Sequence, residues 1–289
     1  MAFRNVIVSE RCKLEYSMNY LVCRKGMEEK RILLDEIKIV IVQTTQVSIT
    51  ASLISMLSKK KIKLIFCDEK SNPECELVPY QNNFYSYRRI KEQIAFSNSA
   101  QIIWSEIVRK KIINQSNNLL YRGLYDEYRM LFEYSKDVQL GDCTNREGHS
   151  AKVYFNALFG KTFNRDQPVS INMFLNYGYS ILLSAINREI KMLGYLTEIG
   201  IHHIGESNPF NLSCDLIEPI RPLVDYYVIS GKVDESNYKI EFVRMLSKEV
   251  YYNGQKLFLD NAIHLYVVNI MNKIKESDNT DLKFVEYEL

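Results

Sequence analysis

The sequence predicts an α+β fold, in which a mainly antiparallel β domain precedes a larger all-α domain. Over the first eighty residues, short segments rich in Val, Leu, Tyr and Cys alternate with polar breaks, a pattern typical of β-hairpins. From residue 85 onward, apolar residues recur with the 3.6-residue period of amphipathic helices. Periodicity is lost around residues 71–83, so we place the boundary between an N-terminal β domain, residues 1–80, and a helical domain, residues 81–289.

The N-terminal domain is predicted to contain short strands and one helix. The helix is expected at residues 51–57, where Leu53, Ile54 and Leu57 form one apolar stripe. Strands are expected at residues 3–9, 12–16, 20–24, 32–34, 38–43, 47–50, 63–67 and 76–78.

The later domain is predicted to be helical throughout. Beyond its first helices, further ones are expected at residues 147–159, 169–193, 213–229, 237–250 and 260–275. Pro219 and Pro222 fall in the third of these. An interior proline removes a hydrogen bond and bends a helix, at a cost of about 3 kcal/mol. The helix is therefore expected to bend beside these two prolines.

Composition excludes several classes of protein. A chain of 289 residues with 46% hydrophobic and 25% charged residues is typical of globular proteins, and its net charge of +2 does not by itself indicate a nucleic-acid partner. The six cysteines form no C-x-x-C pair, which argues against zinc ribbons and redox motifs. No signal peptide is evident, and no run approaches the ~18 apolar residues of a membrane span, so we expect a cytoplasmic protein without a membrane partner.

A candidate divalent-cation site lies around residues 194–225. A polar loop carries His202 and His203, and the helix after it carries Asp215 and Glu218, whose spacing places both carboxylates on one face. Adjacent residues of an extended chain point in opposite directions, so one of the two histidines is expected to face the site. With Glu147 added, imidazole and carboxylate ligands favour Mn²⁺ or Mg²⁺.

Each acid of this candidate site also has a structural interpretation. Glu147 follows Thr144 by three residues, which matches a capping box at a helix start. Asp215 and Glu218 could stabilise the first turn of a helix whose N-cap is Ser213.

Basic residues interleaved with tyrosines predict a surface that binds phosphate groups, although each short charged run could equally be a solvated face. Arg221 follows Glu218 by one turn and could brace that carboxylate or bind phosphate. The other candidates for phosphate contacts are Arg88, Arg89, Arg109, Lys110, Lys111, Arg122 and Arg146.

Two motifs carry a resemblance to a known family. They are Asn-Arg-Glu-Gly-His-Ser-Ala-Lys-Val-Tyr-Phe at residues 145–155 and Phe-Asn-Leu-Ser-Cys-Asp-Leu-Ile-Glu-Pro-Ile-Arg-Pro-Leu-Val-Asp at residues 210–225. Over essentially its whole length the chain resembles the CRISPR-associated integrase and endonuclease family, the large subunit of the spacer-acquisition complex, in a short form like that of type II systems.

The resemblance implies particular metal ligands. The family's glutamate, in the pattern Glu-Gly-x-x-Ala, falls on Glu147, and its second acid, in the pattern Asp-x-x-Glu-Pro, falls on Glu218. The family's histidine, which follows a glycine and two further residues, falls on His203. Asp215 and His202 are then auxiliary residues beside the metal.

The resemblance also implies a reaction and partners. A 3′-hydroxyl of a short DNA fragment attacks a phosphodiester at the leader–repeat junction of a CRISPR array, in antiviral adaptive immunity. The implied partners are double-stranded DNA, a second copy of the chain, and a small ferredoxin-like adaptation subunit, with the N-terminal domain in dimerisation and partner docking. Two alternatives stay open: a stand-alone metal-dependent nuclease of double-stranded or branched DNA, and a non-catalytic DNA-binding scaffold.

Overall fold

The computed structural model describes residues 4–69, 73–79, 86–95, 98–276 and 282–289. The chain divides into two compact units, Met1–Gln81 and Asn82–Leu289. Strands dominate the first unit and helices the second, which confirms the predicted α+β class. The boundary predicted between residues 80 and 81 lies outside the described residues.

In the part that the structure describes, the N-terminal unit contains two four-stranded sheets, one α-helix and one short 3-10 helix. Its strands are β1 (Arg4–Val8), β2 (Cys12–Ser17), β3 (Tyr20–Lys25), β4 (Glu28–Leu33), β5 (Ile37–Val42), β6 (Val47–Ile49), β7 (Lys63–Cys67) and β8 (Pro73–Glu76), with α1 at Ala51–Lys59. The strand orders are β1-β5-β7-β8 and β4-β3-β2-β6. Leu53 and Leu57 of α1 are buried in a core shared with Leu14, Val40 and Leu64.

Strand pairing in this unit is mixed, so the expectation of a mainly antiparallel domain is wrong in that detail. Among the described strands, β1–β5, β5–β7 and β2–β6 pair parallel, while β2–β3, β3–β4 and β7–β8 pair antiparallel. Parallel partners are separated along the chain by a crossover, whereas the hairpin pattern of a sequence reveals pairing between neighbours alone. The near-continuous apolar run of β5, which lies in the middle of its sheet, is typical of a strand buried on both faces.

The second unit is mostly helical. Its helices are α2 (Ser86–Ile94), α3 (Asn98–Tyr121), α4 (Tyr125–Lys136), α5 (Arg146–Phe159), α6 (Ser170–Met192), α7 (Asn211–Ile217), α8 (Arg221–Ile229), α9 (Tyr238–Met245) and α10 (Leu259–Glu276). Short strands β9 (Glu249–Tyr252), β10 (Gln255–Phe258) and β11 (Val285–Glu286) form a sheet of order β10-β9-β11. The bounds of α5, α6 and α10 lie within one residue of those predicted.

The sheet in this unit corrects two predictions, the all-α composition of the domain and the helix at residues 237–250. Helix α9 ends at Met245, and the chain then forms a hairpin of β9 and β10. The hairpin turns at Asn253 and Gly254, whose φ angles are 51° and 73°. A positive φ at both turn positions favours this Asn-Gly pair, because the resulting turn matches the twist of the strands.

The single helix predicted at residues 213–229 is two helices, α7 and α8, separated at Glu218–Ile220. Pro219 has no N–H to continue α7, and Pro222 lies in the first turn of α8, where a missing N–H costs little. Two side chains of α3 bind the carbonyl oxygens near this break: the amide of Asn114 donates to Pro219 O at 2.7 Å, and that of Asn118 donates to Pro222 O at 2.8 Å. The break is therefore a fixed part of the fold.

Helix α6 crosses the middle of this unit, with Leu175, Leu182, Ile186 and Ile190 all completely buried. Among the described residues, each helix is too short or too polar to cross a membrane.

Candidate active site

The start of α5 places Glu147. The N-cap is Asn145, with a φ of 53°, and its side-chain oxygen accepts a hydrogen bond from the N–H of Gly148. The carboxylate of Asp142 accepts the N–H groups of Arg146 and Glu147, at 2.8 and 3.0 Å. These two side chains satisfy the amides that the first turn of a helix leaves without partners.

The capping box predicted between Thr144 and Glu147 is therefore wrong, since the N-cap lies one residue further along. Glu147 has another partner: its Oε1 lies 2.7 Å from Nζ of Lys111, which projects from α3. The carboxylate thus faces a charged interior position rather than its own helix.

Glu218 lies at the break between α7 and α8, with a side chain that is 3% exposed. Its Oε2 forms an ion pair with Nζ of Lys111, and its Oε1 lies 3.2 Å from Nε of Arg221. Burial alone would raise the pKa of this carboxyl, but the charges of Arg221 and Lys111 outweigh burial and lower the pKa of Glu218. The group is therefore ionised at neutral pH.

Helix α7 begins earlier than predicted, at Asn211, and no side chain caps its start. The hydroxyl of Ser213, predicted as the N-cap, instead donates to the side-chain oxygen of Asn187. Asp215 and Glu218 consequently lie beyond the first turn, and the interpretation of these acids as first-turn residues is wrong.

Lys111 joins the two glutamates. Its side chain is 9% exposed, and its ammonium contacts one oxygen of Glu147 and one of Glu218. Burial acts to lower the pKa of Lys111, but the negative charges of Glu218 and Glu147 outweigh it and raise that pKa. A charged ammonium therefore lies between the two carboxylates that the sequence proposes as metal ligands.

Asp215 organises the loop that carries the histidines. It is fully buried, and it accepts the N–H groups of Ile201, His202 and His203 at 2.5, 3.1 and 3.0 Å. The same carboxylate lies 2.6 Å from Nδ1 of His203. A Cβ at Gly200 would lie 2.7 Å from Asp215 Oδ2 and would collide with the carbonyl of His203, so the close approach of this loop to α7 requires glycine.

His203 is the histidine that belongs to the charged cluster. Its hydrogen bond to Asp215 raises its pKa; burial opposes this effect, while the charges of Asp215, Glu218 and Glu147 add to it. Because Nδ1 is hydrogen-bonded to Asp215, Nε2 is the ring nitrogen that could bind a metal ion. An open cleft of about 500 Å³, lined in part by His203, Ile204 and Asn211, gives solvent access to this side of the loop.

His202 has a different environment. Its ring stacks on the indole of Trp104, with centroids 4.3 Å apart and planes 5° apart, while the ring of His203 meets the same indole edge-on at 5.8 Å. Trp104, which projects from α3, is buried and is the one tryptophan of the chain. The indole thus supports both histidines.

Arg221 braces Glu218, as one of its two predicted roles requires. Its guanidinium also lies over the ring of Tyr179, 5.1 Å from the centroid. The hydroxyl of Tyr179 donates to the buried carboxylate of Asp225, which also accepts from Tyr154 OH at 3.0 Å. Burial raises the pKa of Asp225 to about 6, although both tyrosine hydrogen bonds oppose the shift.

The predicted phosphate contacts fall into two groups. Lys111 is buried, whereas Arg109 is half-buried and Arg122 is exposed: Arg109 donates to two carbonyl oxygens at and just beyond the end of α4, and Arg122 donates to the last carbonyl of α8. The other four each form an ion pair with an acidic side chain: Arg88, Arg89, Lys110 and Arg146. All of the predicted contacts except the buried Lys111 stay candidates.

The donor set suits a divalent cation in its chemistry and only partly in its geometry. Glu147 at the start of α5 and Glu218 at the break between α7 and α8 converge on one positive charge, the ammonium of Lys111, which acts as a stand-in ion. Among the residues that the structure describes, however, no three His, Cys, Asp or Glu side chains converge closely enough to hold a metal ion. The charges of both glutamates act on His203, but its imidazole does not converge with the two carboxylates closely enough for all three to hold one ion.

Sequence reasoning missed the contributions of α3. Trp104, Lys111, Asn114 and Asn118 are spaced seven, three and four residues apart, so they lie on one face of the helix. The first supports the histidines, the second joins the glutamates, and the last two bind the break after α7. In the sequence, this face of α3 could have been found from the polar residues that lie at core-facing positions of a long helix.

Comparison with known proteins finds a matching family, curated relatives and similar solved structures. The model of a family described as CRISPR associated protein Cas1 matches residues 6–251. A CRISPR-associated endonuclease Cas1 from Neisseria meningitidis serogroup C (strain 8013) is 34% identical over 230 residues, which cover 79% of this chain and 76% of that protein. Among solved structures, a casposase bound to an integration product aligns with a TM-score of 0.73 at 19% identity, over 99% of this chain and 95% of that one.

A chain of a Cas6-RT-Cas1–Cas2 complex is also similar in fold, with a TM-score of 0.76 at 17% identity. The alignment covers 96% of this chain and 36% of that longer chain, so this chain spans about a third of its length. At these low identities the two structures establish the fold.

Proposed function

Because the chain belongs to the CRISPR associated protein Cas1 family, and is therefore a CRISPR-associated DNA endonuclease and integrase, we propose that Glu147, His203 and Glu218 form its metal-dependent catalytic centre. One observation carries the proposal: two glutamates from distant parts of the chain converge on the ammonium of Lys111. Beside them lies a histidine that is oriented by a buried carboxylate. The cation we propose for the active enzyme is Mg²⁺ or Mn²⁺.

The reaction we propose is attack of a DNA 3′-hydroxyl on a phosphodiester of a CRISPR array, which inserts a short foreign fragment. A divalent cation, when bound, polarises the phosphodiester and stabilises the charge that develops on the pentacoordinate phosphate. Glu218 contributes an ionised carboxylate, since its pKa is held low by Arg221 and Lys111 despite burial. Arg221, beside Glu218, adds a fixed positive charge at the site.

Asp215 is a positioning residue in this proposal. By accepting the Nδ1 hydrogen of His203 it holds the tautomer in which Nε2 carries a lone pair. Its hydrogen bonds with three main-chain N–H groups fix the path of the loop, and the indole of Trp104 packs against both imidazoles. The ring nitrogen is thus presented in one orientation, which metal ligands require.

The proposed substrates are double-stranded DNA: a spacer precursor and the leader–repeat junction, with the cytoplasm as the place of action. Insertion makes two attacks a fixed distance apart and so needs two active sites, for which we propose a homodimer that uses the N-terminal unit. The similarity to a chain of a complex that contains Cas2 supports a further small, ferredoxin-like adaptation subunit as partner. The proposed phosphate contacts are Arg88, Arg89, Arg109, Lys110, Arg122 and Arg146.

A strand-transfer assay tests the reaction. The protein is incubated with Mn²⁺, a supercoiled plasmid that carries a leader and repeat, and short duplexes that end in either a 3′-hydroxyl or a 3′-deoxy group. We expect plasmid-joined fragments with the 3′-hydroxyl, none with the blocked end, and none with E147Q, H203A or E218Q.

The same assay separates the alternatives. Plasmid cleavage that does not depend on the 3′ end would indicate a stand-alone nuclease, because water would then be the nucleophile. DNA binding without any joined or cleaved product, under conditions where the three variants bind equally well, would indicate a non-catalytic scaffold. Either result contradicts the proposed integration reaction.

A further inference from the structure

The ammonium of Lys111 occupies the position between Glu147 and Glu218. It contacts Glu147 Oε1 at 2.7 Å and forms an ion pair with Glu218 Oε2, and its side chain is largely buried. Oε1 of Glu218 is engaged separately by Arg221. Lys111 thus contacts one oxygen of each glutamate, and both of these oxygens lie around the position of its ammonium.

A bound divalent cation and this ammonium cannot use the same two oxygens. Each would need to lie within contact distance of both carboxylates, and two positive charges a few ångströms apart in a poorly hydrated site repel strongly. Without any cation, the two carboxylates would face the same repulsion between themselves. Some positive charge is therefore required at this point, and the structure provides it from α3.

We propose that Lys111 is an intramolecular counter-cation that holds the site assembled in the metal-free protein and is displaced when a divalent cation binds. The inference rests on the proposed function, because it takes Glu147 and Glu218 as the metal's ligands. Lysine suits such an exchange, since its ammonium is a point charge on a flexible four-carbon stem, whereas an arginine would form a fixed bidentate pair.

Displacement has a measurable consequence for affinity. Metal binding must break the contacts of Lys111 with both carboxylates, so the free energy of those contacts is subtracted from the free energy of binding. Removal of the ammonium should therefore tighten metal binding while it weakens the metal-free fold. A lysine that merely stabilised the fold would weaken the fold on removal and leave metal affinity unchanged or poorer.

The test compares K111M with wild-type protein and with K110M. Met keeps the length and apolar stem of lysine without its charge. Lys110 is a matched control, because it is the neighbouring residue of α3 and lies 3.4 Å from Glu286, away from the two glutamates. Mn²⁺ affinity is measured by electron paramagnetic resonance of free Mn²⁺, and melting temperature is measured in a chelator and in excess Mn²⁺.

We expect K111M to melt about 5–15 °C below wild-type in the chelator, because a buried ion pair has lost one partner. We expect its Mn²⁺ affinity to rise by about tenfold or more, and Mn²⁺ to restore most of its lost melting temperature. K110M should match wild-type in both measurements. Unchanged or weaker Mn²⁺ affinity in K111M, with measurable binding in wild-type, would overturn the proposal.

Two further measurements keep the outcomes distinct. If K111M does not fold, pulsed acylation of wild-type lysines with mass-spectrometric readout replaces it: Mn²⁺ should raise the reactivity of Lys111 several-fold and leave that of Lys110 unchanged, and equal reactivity would overturn the proposal. E218Q reports on the proposed function itself. If E218Q binds Mn²⁺ as wild-type does, Glu218 is not a metal ligand, and both the proposed metal site and the role of Lys111 are wrong.

Discussion

Asp215 and His203 form a hydrogen-bonded pair in which a fully buried carboxylate lies 2.6 Å from Nδ1 of the imidazole. The pair determines which ring nitrogen is free, and it joins the histidine loop to α7. Because Glu218 lies at the end of the same helix, the path of α7 sets the positions of both the imidazole and the second glutamate.

Replacement of Asp215 by asparagine tests the orienting role of this pair. The amide keeps one acceptor oxygen and replaces the other with a donor, so it cannot accept both the loop N–H groups and the Nδ1 hydrogen. We expect strand transfer to fall about 10–100-fold at saturating Mn²⁺. Initial rates and circular dichroism spectra are the measurements, and a D215N rate equal to that of wild-type would contradict the assigned role.

The two adjacent histidines provide a matched pair of variants. His203 faces the charged cluster, whereas His202 stacks on Trp104, so H203A should lower strand transfer by at least about 100-fold and H202A by no more than about tenfold. The fluorescence of Trp104, the one tryptophan, should change in H202A because the stacked ring is lost. Loss of activity in H202A with full activity in H203A would reverse the assignment of the ligand.

The break between α7 and α8 depends on Asn114. N114A removes the donor to the carbonyl of Pro219 and leaves that oxygen unsatisfied in a buried position, so the free energy of unfolding should fall by about 1–3 kcal/mol. Asn117 is exposed on the same helix, and N117A should change that free energy by no more than about 0.5 kcal/mol. Chemical denaturation checks both values, and equal effects would show that the contact at Pro219 is not specific.

The buried Asp225 predicts a pH dependence of stability. Burial raises its pKa to about 6 in the folded protein, above the ordinary value near 3.9 expected when unfolded. The folded state therefore binds the proton more tightly, and stability should fall as the pH rises from about 4 to about 6, by roughly 2–3 kcal/mol. D225N should remove this part of the slope, as measured by denaturation across that range; an unchanged slope would contradict the role of Asp225.

Local sequence patterns were sufficient for several of the long helices, whereas the choice of metal ligands stays a prediction. Local periodicity located α5, α6 and α10 within one residue, and the two motifs drew attention to Glu147 and Glu218. Local patterns failed where the deciding contact was distant. The capping box at Thr144 was an acceptable local solution, but Asp142 and Asn145 satisfy the same amides and leave Glu147 to pair with Lys111 of α3.

The roles of Lys111 and Trp104 could not be predicted for the same reason. Sequence periodicity does not show which elements pack against a Lys or Trp of a long helix, so it cannot assign that residue to a catalytic site. The basic run at Arg109, Lys110 and Lys111 predicts a phosphate surface, yet Lys111 is buried between the two glutamates. Parallel pairing of β1 with β5 was likewise hidden, because the partners are separated by a three-strand segment.

The most direct test of the central claim is anomalous diffraction from crystals of the protein grown with Mn²⁺. Our account predicts one anomalous peak within about 2.3 Å of a carboxylate oxygen of Glu147, a carboxylate oxygen of Glu218 and Nε2 of His203, with the ammonium of Lys111 moved away from both carboxylates. A peak elsewhere, or none while Lys111 still joins the two glutamates at saturating Mn²⁺, would contradict it.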